Sequence, residues 1–199
     1  RSRVIVMAKK RYEFKPDREG PDLLSRFSLT KIQRQRLLKW TLYGVLLVVL
    51  SLLQDSMLCK FRIMDATTEL VPVGIFVICL LEGAESGCVF ALISSLLYLF
   101  SGTAAGPYTM LFITALAVGV TIWRQAYLQK GFVAALLCAG TATFVLQMLQ
   151  FLTGLFLQVT HPGRYVGFLI TAGLSILAIP VLYPVVLAIE TIGGETWKE

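Results

Sequence analysis

Few residues in this sequence have the type and spacing that chemistry requires. Gln147 and Gln150 stand three apart inside an apolar run, where carboxamides bring donors and acceptors that hydrocarbon cannot satisfy. With Gly140, Thr143 and Gly154 they follow a 3-4-3-4 spacing, which puts small and amide residues on one helical face. Thr143, Gln147 and Gln150 are therefore expected to meet another helix through hydrogen bonds, or to line an internal cavity that holds a ligand.

The remaining reactive types are scattered. His161, the only histidine, sits in Thr160-His161-Pro162-Gly163 with no second His or Cys to complete a metal site. Cys59, Cys79, Cys88 and Cys138 form no Cys-x-x-Cys pair, and three of them lie in apolar runs, where a thiol packs as a small hydrophobe. Asp55, Glu82, Glu85 and Glu190 fall at the ends of apolar runs and are expected at the interface rather than buried. No Ser-His-Asp set, carboxylate couple, phosphate-binding glycine loop or zinc spacing can be assembled, so the expectation is no enzyme, no cofactor and no metal.

The elements that hold these residues follow from composition. Of 199 residues, 56% are hydrophobic and 15% are charged, against roughly 25% charged in an ordinary soluble domain. Apolar runs recur at residues 40–57, 68–81, 86–101, 107–122, 131–156 and 166–190. The pattern predicts an all-α integral membrane protein, a six-transmembrane-helix bundle with both termini cytoplasmic. The second and third runs are short for a hydrocarbon core of about 30 Å. Two crossings joined by a tight turn at Glu82-Gly83-Ala84-Glu85 are preferred to a re-entrant hairpin. The last two runs exceed the need, and tilt or extension past the membrane is expected.

Residues 1–29 read as a basic cytoplasmic tail, 30–192 as the membrane domain and 193–199 as a short cytoplasmic tail. Residues 1–39 carry 12 of the 18 Lys+Arg and a net +8, leaving −2 on the rest. Basic charge followed at once by an apolar run points to an anionic lipid surface rather than nucleic acid. Under the positive-inside rule, the inner segments hold 15 basic residues and the outer ones only Lys60, Arg62 and Arg164. Two prolines and a glycine in residues 15–21 make residues 1–21 a flexible tail. No cleavable signal is expected, so the first apolar helix stays as an anchor. Thr30-Lys31-Ile32-Gln33 reads as a capping box from which a helix runs into the membrane.

Two stripes of small residues recur at a spacing of four. Gly83, Gly87, Ala91 and Ser95 lie in the third run, and Gly163, Gly167, Thr171 and Ser175 in the sixth, ahead of Pro180 and Pro184. Such stripes let helix backbones approach closely in lipid. The first stripe packs either inside the bundle or against a partner's helix; the prolines are expected to kink the last helix.

Residues 72–123 carry a resemblance. Pro72, an apolar helix, Glu82-Gly83-Ala84-Glu85-Ser86-Gly87, a second apolar helix, then Ser101-Gly102-Thr103-Ala104-Ala105-Gly106-Pro107 and a third resemble MreD, the rod shape-determining membrane protein family. Gly83, Gly87, Ser101, Gly102 and Gly106 match, while Tyr98 stands where the family often has an acidic residue. The resemblance implies a non-enzymatic subunit of the bacterial cell-elongation complex in the cytoplasmic membrane. Its implied partners are the single-span MreC and, through it, MreB, RodA and a penicillin-binding transpeptidase. Self-association stays open. The small-residue face Gly83, Gly87, Ala91 and Ser95 is the first choice for receiving the MreC helix.

The rival reading is the substrate-binding S component of an energy-coupling-factor vitamin transporter, also six-helical and of similar size. Those proteins carry an Ala-xxx-Ala face on the first helix, and this chain has no alanine between Ala8 and Ala66. The scaffold is preferred.

Overall fold

The computed structural model describes residues 31–58, 67–102, 104–127 and 131–192, and among these there is no strand. Six long helices follow one another: α1 (Lys31–Leu53), α2 (Leu70–Glu82), α3 (Ala84–Phe100), α4 (Tyr108–Tyr127), α5 (Phe132–Phe156) and α6 (Tyr165–Ile192). A π-helical turn, Gln54–Leu58, extends α1, and a short 3-10 turn, Pro162–Arg164, leads into α6. These agree with the six apolar runs. The proposed Thr30 cap, Cys59, Lys60, Arg62 and both terminal tails lie outside the described residues.

Three of the helical segments, Gln33–Ser56, Phe132–Phe156 and Pro162–Thr191, are long and apolar enough to cross a membrane. Their outer faces stay uncovered, with Val48, Leu52, Leu137, Leu152, Leu177 and Val181 all exposed. Apolar side chains so placed require an apolar solvent.

α2 is the centre of the arrangement. Its sequence, Leu-Val-Pro-Val-Gly-Ile-Phe-Val-Ile-Cys-Leu-Leu-Glu, is apolar on every side, and every residue from Val71 to Leu81 is buried. A helix without a polar face belongs in an interior. Accordingly α2 touches each of the other five helices. Its 13 residues span only about 20 Å at 1.5 Å per residue, which explains why this run is so short: its neighbours, not lipid, surround it. Pro72 lies in the first turn, where no intrahelical donor is lost.

The helices alternate in direction. Lys39, Glu82, Arg124 and Glu190 gather at one end of the bundle, where Arg124 and Glu190 line a cavity of about 70 Å³ with Tyr183. Gln54, Glu69, Tyr98 and Ala105 mark the other end. α2 and α3 meet at a single residue, Gly83, whose φ of +93° suits glycine. α6 continues as one helix through Pro180 and Pro184. At the end of α5, Gln158 takes a φ of +57° while the Val159 and Thr160 amides both return to the Gly154 carbonyl.

Candidate functional site

A helix buried at both ends must find partners for its terminal backbone groups. The start of α2 obtains them from two distant side chains. Gln54 Oε1 accepts from the Leu70 amide at 2.9 Å and from the Val71 amide at 3.2 Å. Ser175 Oγ of α6 accepts from the Glu69 amide at 3.0 Å. Gln54 also donates from Nε2 to the Tyr98 hydroxyl at 3.5 Å. These bonds hold the segment 67–69 against α6 and turn Glu69 inward.

There the polar α5 face and the small-residue stripe of α6 read from the sequence converge. Thr143, Gln147 and Gln150 are all buried on α5, at 0%, 1% and 3% exposure. Thr143 spends its hydroxyl on its own helix, donating to the Ala139 carbonyl at 2.7 Å. Gln147 and Gln150 instead face a cavity of about 460 Å³, which is also lined by Gly163, Gly167 and Thr171 of the α6 stripe and by Glu69. Both carboxamides stand as hydrogen-bonding neighbours of the Glu69 carboxyl. Yet neither amide nitrogen, nor Glu69 Oε2, completes a hydrogen bond within the chain. Each such buried group costs about 1–3 kcal/mol when unsatisfied. The cavity rises from this polar floor to a rim where Ala105, Gly163, Arg164 and Val166 are exposed.

Glu69 escaped the sequence reading, as did Gln54 and Lys39. Glu69 follows two threonines at the edge of an apolar run and looks like any interfacial acid. The available signal was its place one residue before a helix that is apolar on every side. Such a helix has no lipid- or water-facing flank, so its first residues must also be internal.

At the other end Glu82 corrects an expectation. Rather than lying at the interface, its side chain is 8% exposed and pairs with Lys39 Nζ at 2.6 Å. The buried Tyr43 hydroxyl lies beside the same carboxylate. Glu82 closes α2 at its C-terminus, where the helix dipole disfavours a negative charge, and the ammonium on α1 offsets it. Asp55 and Glu85 are exposed as expected, and Glu190 is half-buried. His161 is exposed in its loop.

The α3 stripe packs inside the bundle, one of the two arrangements expected for it. A Cβ added at Gly87 would lie 3.0 Å from the Cys79 carbonyl oxygen and 3.1 Å from Cys79 Cα. Ala91 and Ser95 are fully buried, and Cys79 Sγ donates to the Gly87 carbonyl at 3.1 Å. Gly83 is consumed by the α2–α3 turn. The close approach foreseen for these residues is real, but α2 of the same chain occupies it.

What remains open on α3 is its opposite side. Val89, Ile93 and Leu97 are exposed there, and a cavity of about 450 Å³ runs between α1 and α3. Trp40, Leu47, Val48 and Leu52 of α1 and Phe90, Ile93 and Leu97 of α3 wall it. Gly44, Ser51, Ser94 and Ser101 supply small side chains along it, and a Cβ at Gly44 would meet nothing within 4 Å. Among the described residues, no group of three or more His, Cys, Asp or Glu is placed to hold a metal. Compared with protein-family models, curated proteins and solved structures, the chain gives no match.

Proposed function

We propose that the chain is a non-enzymatic scaffold subunit of a bacterial cell-elongation complex, as its resemblance to MreD implies, crossing the cytoplasmic membrane six times with both termini inside. The Lys39–Glu82 end then faces the cytoplasm and the Gln54 end faces outward. The basic residues ahead of α1 bind anionic lipid. The partner is a single-span protein like MreC, which links this subunit to MreB, RodA and a penicillin-binding transpeptidase.

The groove between α1 and α3 carries the reading. From Trp40 to Leu52 it follows α1 for about 18 Å at 1.5 Å per residue. Its walls are apolar, and its small residues admit a helix backbone rather than only the tips of side chains. One apolar helix is therefore the occupant. The matched glycines support the same resemblance: Gly83 and Gly102 take φ of +93° and +76°, and Gly87 sets the α2–α3 spacing.

A second reading has one observation in its favour. The polar floor at Glu69, Gln147 and Gln150 suits the substrate cavity of a transporter S component. Purification from the native membrane in mild detergent, followed by mass spectrometry, separates the two. A single-span coiled-coil protein with elongation enzymes is expected; two ATPases with a coupling membrane subunit would replace the scaffold reading. Gly44→Leu projects a side chain into the groove from a position where a Cβ meets nothing within 4 Å. It should abolish recovery of the single-span partner while leaving the unfolding midpoint unchanged. Undiminished recovery would remove the groove from the mechanism.

A further inference from the structure

The groove between α1 and α3 holds one buried polar side chain that the bundle leaves unused. Ser94 is 2% exposed and lines the groove. The other serines of α3 and its C-cap return their hydroxyls to their own backbone. Ser86 donates to the Glu82 carbonyl at 3.3 Å, Ser95 to that of Leu92 at 3.0 Å and Ser101 to that of Tyr98 at 2.8 Å. Ser94 makes no such bond, and among the described residues its hydroxyl has no partner.

An aromatic contact sets its level in the groove. The Trp40 and Phe90 rings lie 5.6 Å apart, and α1 and α3 run in the same direction, with α2 returning between them. One turn further along each helix, about 6 Å at 1.5 Å per residue, stand Gly44 on one wall and Ser94 on the other. A Cβ at Gly44 would meet nothing within 4 Å. A helix lying in the groove therefore comes closest at the level of the unpartnered hydroxyl.

That hydroxyl narrows the occupant. A lipid acyl chain would suit the apolar walls but offers no acceptor, and the hydrocarbon region holds no water to stand in. A helix embedded in a second bundle brings flanking helices against both walls, whereas a lone span has none. The span's backbone carbonyls are spent on its own amides, so the acceptor must come from a side chain. A charged side chain would enter an apolar groove without a counter-charge. Resting on the scaffold reading, which places a single span here, we infer that Ser94 is a recognition point for that span. The span carries an uncharged hydrogen-bonding side chain, Ser, Thr, Asn or Gln, facing Ser94 one turn outward of Trp40.

The test reconstitutes the full chain in lipid vesicles with the single-span protein recovered from the native membrane. Association is read by energy transfer between labels on the two proteins as the lipid content is varied. Ser94→Ala should weaken association about threefold, the size of one interhelical hydrogen bond in lipid, with the unfolding midpoint unchanged. Ser95→Ala loses only a bond to its own helix and should leave association unchanged. Alanine scanning of the polar residues in the partner's span should find one whose loss costs as much as Ser94→Ala and adds nothing to it. Undiminished association by Ser94→Ala, or costs that add for every such residue, overturns the inference. So does an effect of Ser94→Ala on energy transfer between two copies of this chain instead. If the parent chain recovers no single-span protein, the scaffold reading falls and this inference with it; recovery that Ser94→Ala does not weaken removes this inference alone.

Discussion

The Lys39–Glu82 pair invites a double-mutant cycle. The two side chains are 10% and 8% exposed, and their charged atoms are 2.6 Å apart. At an effective dielectric near 20, charges this close attract by about 6 kcal/mol. Withdrawing both from water costs several kcal/mol per ion, so the pair as a whole adds little to stability. Breaking it is another matter. Glu82→Gln leaves the Lys39 ammonium buried without its counter-charge and should destabilise by about 3–5 kcal/mol, and Lys39→Met should do the same to the carboxylate. The double variant removes both charges and should lie within about 1 kcal/mol of the parent. Unfolding by denaturing detergent in mixed micelles, scored by loss of helix circular dichroism, gives the four free energies. A cycle that is additive within about 0.5 kcal/mol would refute the pairing.

Other perturbations follow from the same geometry. Gly87→Ala places a Cβ 3.0 Å from the Cys79 carbonyl oxygen, and because backbone cannot step aside it should cost about 1–3 kcal/mol in the same assay. Gly44→Ala, with nothing within 4 Å, should stay within about 1 kcal/mol, the helix propensity term alone favouring alanine. Gln54→Leu strips the acceptor from the Leu70 and Val71 amides and should destabilise by about 1–3 kcal/mol; hydrogen exchange at those two amides should quicken before that of the α2 interior. Gln158→Gly relieves a side chain held at a φ of +57° and should raise stability by about 1 kcal/mol.

The helices were legible because each apolar run is bounded by glycine, proline or charge, and periodicity alone placed Thr143, Gln147 and Gln150 on a buried face. Their spacing marks an α5 side that lipid would not tolerate. The α3 stripe was legible as a close-packing surface but not as to its occupant: small residues specify that a backbone comes near, not whose. Gln54 and Ser175 were opaque for a different reason. They cap a helix from 16 and 106 residues away, and no local pattern records such a bond. Lys39 was hidden among the 12 basic residues of the first 39. One charge of a basic segment is internal only if its partner is found on another helix. Glu69 stayed hidden because the residue before a helix usually sees water, and here the helix begins inside the bundle.

The central position of α2 also orders assembly in time. It is synthesised after α1 and ahead of α3 to α6, yet at about 20 Å it is too short to match a bilayer on its own. It depends for its first turn on Gln54, already made, and on Ser175, which belongs to the later α6. Until α6 arrives, the innermost helix has one end unfinished and part of its apolar circumference uncovered. The early helices must therefore wait as a loosely joined set that a chaperone, an insertase or lipid shelters. A chain truncated before α6 would lose more than that one helix, because it would leave the core itself open.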